Sequence, residues 1–123
     1  MIKSKEITKD ERIKKEIKRL RTLLKDIPDN KLKVAEGLIK RASFMLVTLE
    51  DLELDLNTEG TVETFSQTKG IEYDRERPAA KLYNAFIKNY TSLCKQLLDL
   101  IPNETTKKEA SDDLLEFVQK TKR

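Results

Sequence analysis

Apolar residues recur at helical spacing in four segments of this chain, and one tract between them breaks the pattern. In the first segment Ile13, Ile17, Leu20, Leu24 and Ile27 stand four, three, four and three residues apart. That is a narrow heptad seam suited to one partner helix. It predicts a helix from Thr8 to Ile27, because Pro28 disfavours α conformation in the residue before it. Arg12, Lys15, Lys18, Arg19 and Lys25 fall off the seam, on the outer face.

The second segment carries two apolar rows. One is Leu32, Ala35, Ile39, Ala42, Leu46 and Leu49; the other is Leu38, Ala42, Met45, Leu49, Leu52 and Leu56. Together they predict a helix of roughly 40 Å, at about 1.5 Å per residue. It is capped by Asp29 or Asn30 and reaches Leu56, with a face too wide for one neighbour. Gly37 inside it costs about 1 kcal/mol relative to Ala and reads as a site of close helix packing.

Between Asn57 and Arg77 the helical period stops. Gly60 and Gly70 punctuate the tract, and Thr61-Val62-Glu63-Thr64-Phe65 and Ile71-Glu72-Tyr73 have strand character. An irregular loop or a small β-hairpin over about 61–74 fits, with the loop preferred because two short strands alone are marginal in water. Helical spacing resumes at Pro78, a good first helical residue. Ala79, Tyr83, Phe86, Tyr90, Leu93, Leu97 and Leu100 form one row, and Tyr83, Ile87, Tyr90, Cys94, Leu97 and Ile101 a second. A helix with two adjacent seams packs against two neighbours. Lys81, Asn84, Lys88, Ser92, Lys95 and Asp99 take the remaining face.

The last segment, Glu104 to Lys120, is shorter. Ser111 followed by Asp112 and Asp113 has the form of a helix start, and Leu114, Leu115, Phe117 and Val118 supply an apolar patch. The expected fold is therefore all-α (mainly α), with three to four helices around a long central antiparallel pair, about 30–56 and 78–101. The expected organisation is a basic N-terminal helix or arm (1–28), a helical assembly core (29–102) and a C-terminal helical tail (103–123).

Charge adds a polarity along the chain that the net value of +3 conceals. Residues 1–41 hold 14 Lys/Arg against 7 Asp/Glu, a net +7. Residues 42–76 hold 2 against 9, a net −7, and residues 77–123 hold 9 against 6, a net +3. This asymmetry favours a polyanionic partner at the N-terminal end, or head-to-tail contact between copies. No run of about 18 apolar residues predicts a membrane span, and Met1 to Leu20 lacks the apolar core of a signal peptide. The lone Cys94 suits a reducing compartment and a packing role, so the expected location is cytoplasmic.

The composition weighs against an enzyme. The chain has no His, which removes the usual general base and the commonest zinc ligand. The three glycines stand too far apart for a phosphate loop. Glu50, Asp51, Glu53 and Asp55 read as a solvated helix end or a contact for a basic partner rather than a metal or catalytic set. The expectation is no catalytic residue, no metal and no cofactor. Lys3, Lys5, Lys9, Arg12, Lys14, Lys15, Lys18, Arg19 and Arg21 are the candidate contacts for DNA phosphates. The alternative for this set is a solvated face with local pairs such as Glu11–Lys15. Tyr83, Phe86, Ile87, Tyr90, Leu93, Cys94, Leu97 and Ile101 are the candidate interface between copies.

The run Arg77-Pro78-Ala79-Ala80-Lys81-Leu82-Tyr83-Asn84-Ala85-Phe86-Ile87-Lys88-Asn89-Tyr90 is similar to a segment of bacteriophage terminase small subunits. In that family Pro is followed by Ala, Lys, an aliphatic residue or Tyr, Asn and a long amphipathic helix. The layout resembles the family over about Leu32 to Pro102. Arg77 stands where the family often has Asn, and Leu100-Ile101-Pro102-Asn103 keeps only the Pro of the step that often follows the helix. The resemblance implies a phage or prophage protein in the bacterial host cytoplasm. It would assemble as a homo-oligomer, expected to be a ring, recognise double-stranded viral DNA, and act with the terminase large subunit, an ATPase and nuclease. A different reading of the residues remains open: a helical oligomeric scaffold or adaptor that binds only protein.

Overall fold

A computed structural model describes residues 7–114. Helix α1 spans Lys9–Leu23, α2 spans Leu32–Glu59, strands β1 (Val62–Thr68) and β2 (Ile71–Glu76) form a hairpin, α3 spans Pro78–Leu98 and α4 spans Glu104–Leu114. The fold is mainly α with a two-stranded antiparallel sheet.

Each element begins and ends for a local reason. Thr8 caps α1 through a capping box: its Oγ1 accepts from the Glu11 amide at 3.1 Å, and its own amide donates to Glu11 Oε1 at 3.0 Å. The helix stops at Leu23, short of Ile27, and a turn carries Leu24 and Ile27 into the core. Asp29 and Asn30 do not cap α2; they lie in a one-turn 3-10 helix, Asp29–Lys31, that precedes it. Leu32, assigned by periodicity to an apolar row, is 44% exposed, because it opens α2 before the packed part begins. At the far end Gly60 adopts a φ of +84°, a left-handed conformation that costs Gly little, and its amide bonds to the Leu56 carbonyl at 2.8 Å. Pro78 takes the first position of α3, as its spacing predicts.

The tract between the long helices is a hairpin rather than the preferred loop. Its register pairs Val62 with Glu76, Glu63 with Arg75, Thr64 with Asp74 and Phe65 with Tyr73. One face explains its order: the Phe65 and Tyr73 rings meet edge to face at 5.9 Å. The Arg75 guanidinium lies 3.5 Å over Phe65, and its Nε donates to Glu63 at 2.7 Å. Such cross-strand pairs contribute about 0.2–1 kcal/mol each, which an isolated two-strand ribbon needs. Arg77 clamps the base, donating to the Gly60 carbonyl at 2.7 Å and to Asp55 at 2.9 Å.

One cluster of buried side chains joins the helices. Leu20, Leu24 and Ile27 pack with Ala35, Ile39, Ala42, Leu46 and Leu49 of α2, and with Tyr90, Cys94, Leu97, Leu98 and Ile101 of α3 and the turn after it. Ala110 and Leu114 close it from α4. Helix α2 packs along both α1 and α3, and α4 touches α1 and α3. The N-terminal helix is thus part of the body. Helix α4 begins seven residues before Ser111, at Glu104, with the Asn103 side chain accepting from the Thr106 amide at 3.0 Å. Leu115, Phe117 and Val118 of the expected terminal patch lie outside the described residues. No described helix is long and apolar enough to cross a membrane.

Candidate nucleic-acid interface

The nine cations read as phosphate contacts meet different fates. Lys3 and Lys5 lie outside the described residues. Lys9 sits with its Nζ 4.9 Å above the Phe44 ring. Arg12 reaches across to α2, donating to Asp51 at 2.7 Å and Glu50 at 3.0 Å. Arg19 grips Glu16 with two bonds of 2.9 and 2.7 Å, and Arg21 grips Glu36 with two of 3.0 and 2.8 Å. These forked bonds raise all three arginine pKa values, and Arg21 in turn lowers that of Glu36. Lys14 is 3.4 Å from Asp10, with both side chains solvated. Lys15 and Lys18 are exposed and have no ion-pair partner among the described residues. The expected Glu11–Lys15 pair does not form, since Glu11 is occupied by the cap of α1.

A polyanion approaching α1 therefore meets Lys14, Lys15 and Lys18. The three arginines are bound to carboxylates of the same chain. Arg19 secures Glu16, a carboxylate only 9% exposed, and Arg12 and Arg21 fasten α1 to α2. The basic N-terminal region and the acidic middle region, opposed in sequence, meet within one chain.

The acidic run is occupied as well, by partners remote in sequence. Glu50 and Asp51 hold Arg12, Asp55 holds Arg77, and Glu53 accepts from the Tyr83 hydroxyl at 3.0 Å. Burial raises the Glu53 carboxyl, and the Tyr83 bond offsets part of the rise. Burial and the Glu53 contact push Tyr83 up to about 12. No group of three or more Asp, Glu, Cys or His that could hold a metal occurs among the described residues.

The candidate interface between copies divides in two. Tyr90, Cys94, Leu97 and Ile101 are at most 1% exposed and belong to the core of a single chain, so they cannot reach a second copy in this fold. The reason is that the seam they form meets α1 and α2 first. Burial pushes the Cys94 thiol up to about 11, against the pull of the Tyr90 hydroxyl one turn away. Tyr83, Phe86, Ile87 and Leu93 are half-buried at the edge of that core.

A second row is covered only in part. On α2, Leu38, Met45 and Leu52 recur every seven residues, with Leu56 one turn on; all four are half-buried. On α3 and just past it, Phe86, Leu93 and Leu100 recur every seven residues, with exposed Leu82 one turn before. Antiparallel packing sets these rows side by side. On α2 they lie about half a turn from Glu36 and Glu50, which face α1. Uncharged Thr48, Asn89 and Gln96 border them. Gly37 lies on the same flank, and a Cβ there would meet only Arg41 of its own helix, at 3.6 Å. Packing within the chain thus does not require a glycine at 37. No protein-family model, no curated protein and no solved structure matches the chain.

Proposed function

We propose that this chain is a non-catalytic DNA-recognition subunit of the terminase small-subunit type. It self-associates in the cytoplasm of a bacterial host and presents viral DNA to a large ATP-driven nuclease–motor subunit. The observation that carries the reading is the partly covered apolar row on α2 and α3. A row of Leu, Met and Phe bordered by Thr48, Asn89 and Gln96, with Arg41 the exposed cation beside it, is poor in charge, as the core of an interface is. Gly37 on the same flank lets a second helix approach closely, which offsets its cost in helix propensity. The similarity of Arg77 to Tyr90 to the terminase segment supplies the object of the assembly, and Lys14, Lys15 and Lys18 supply cations for phosphate contact. Repetition of a weak basic patch around an oligomer multiplies its effect.

The test is the oligomeric state of the full chain by light scattering. Self-association at tens of micromolar, abolished by Leu52→Glu or Leu93→Glu with helicity retained, is the expected result. A strict monomer at that concentration rules the assembly out. A second reading, a scaffold that binds only protein, is favoured by the inward use of Arg12, Arg19 and Arg21. Failure of the assembled form to bind duplex DNA at low salt selects it.

A further inference from the structure

Helix α3 differs from the other described helices in having no Asp or Glu. Its cations are Lys81, Lys88 and Lys95, seven residues apart, on the side roughly opposite buried Tyr90 and Leu97. All three are exposed, and none has an ion-pair partner among the described residues. Exposed Asn84 and Ser92 lie between them on the same face. The nearest acid along the chain, Asp99, is 4.0 Å from Lys107 of α4. A solvated helix face usually mixes signs, and α1 does so; between Lys81 and Lys95 this one carries positive charge alone, with Asp99 following one turn past Lys95.

We propose that this face of α3 contacts the sugar–phosphate backbone of duplex DNA, as a surface additional to the lysines of α1. The inference rests on the DNA-binding reading above and assigns it a location. From Lys81 to Lys95 the helix rises about 21 Å, against about 34 Å for one turn of duplex. Three ammonium groups on flexible stems can therefore each meet a phosphate of one groove wall. Asn84 and Ser92 add neutral donors of the kind that commonly bind phosphate oxygens. The apolar row lies on a different flank of α3, so the two contacts do not compete.

The experiment measures binding of a labelled duplex by the full chain across a salt series. Each phosphate contact adds about 0.9 to the slope of log affinity against log salt. Replacing Lys81, Lys88 and Lys95 together by Gln is expected to lower that slope by about 2.7. Over a fourfold rise in salt, wild type then loses about 40-fold more affinity than the variant. Arg at the same three positions is expected to keep the slope. A comparator with Lys14→Gln, Lys15→Gln and Lys18→Gln measures the α1 contribution separately. Wild-type binding with an unchanged slope in the α3 variant overturns the track and leaves the DNA reading standing. No wild-type binding to duplex at low salt removes both. Dissociation of the oligomer by the three Gln substitutions assigns the face to a neighbouring copy instead and also overturns the proposal.

Discussion

Helices α1 and α3 are both cationic, yet their charges are used differently. Helix α1 carries seven Lys/Arg, and its three arginines are all bound to carboxylates of the same chain. Helix α3 carries three lysines, and none is paired among the described residues. Formal charge along a sequence is therefore a poor measure of the charge a partner meets. The division follows side-chain chemistry. The planar guanidinium forms two parallel bonds with a carboxylate and loses little freedom per bond, whereas a hydrated ammonium gains less from a fixed partner. Arg75 and Arg77 conform, bound to Glu63 and Asp55.

The largest effect that tests this contrast concerns whether α1 is structural at all. Leu20 is fully buried against α2 and α3. Leu20→Ala is expected to lower stability by about 2–5 kcal/mol in urea unfolding. A loss below about 1 kcal/mol would mean that α1 is an arm, and the comparison would collapse.

Next comes the buried carboxylate. Arg19→Ala leaves Glu16 without its forked partner and is expected to cost about 1–3 kcal/mol. Lys18→Ala, one residue away and solvated, is expected to stay within about 0.5 kcal/mol. Equal costs would show that the arginine and lysine of α1 are not functionally divided.

The inner face of α3 can be probed by alkali. Burial pushes Cys94 up from 9.0 to about 11 and, with the Glu53 contact, Tyr83 up from 10.0 to about 12. Tyr90 shifts in the same direction, chiefly through burial. Each raised value means that the folded chain holds its proton more tightly than the unfolded chain. The associated stability is complete below the unfolded values and is lost as pH rises through the folded ones. The urea midpoint is expected to fall between about pH 9 and pH 12, with Cys94→Ala reducing the early part of the fall. A flat profile over that window would show that this face is open to solvent.

The smallest effect concerns the ties between α1 and α2. Arg12 and its partners Glu50 and Asp51 are all partly solvated. Arg12→Ala is expected to cost about 0.2–1 kcal/mol at low salt. Most of this difference should vanish near 1 M salt, where the Debye length is about 3 Å. A larger, salt-independent loss would point to packing by the Arg12 stem instead.

The helices were legible in the sequence because each is written in contiguous residues. The periods of Ile13 to Ile27, Leu32 to Leu56 and Tyr83 to Ile101 announced them, and Pro78 marked the start of α3, whereas α1 stops five residues before Pro28 and α2 runs three residues past Leu56. The hairpin was harder to see, since its order comes from Phe65, Tyr73, Arg75 and Glu63 meeting across strands. The Glu63-x-Phe65 and Tyr73-x-Arg75 pairs carried that signal. The row of Leu38, Met45, Leu52 and Leu56 was visible as a period, but its exposure was not.

The sequence by itself determined the helical class, the start of α3 at Pro78, and the excess of basic residues at one end. Local spacing and backbone preference suffice for these. Only the tertiary structure decided which charges remain available and which seam is internal. Arg12 finds Glu50 and Asp51 across 38 and 39 residues, and Tyr83 finds Glu53 across 30. Such pairings depend on how helices cross, and the same crossing that neutralised the arginines of α1 left the lysines of α3 facing solvent.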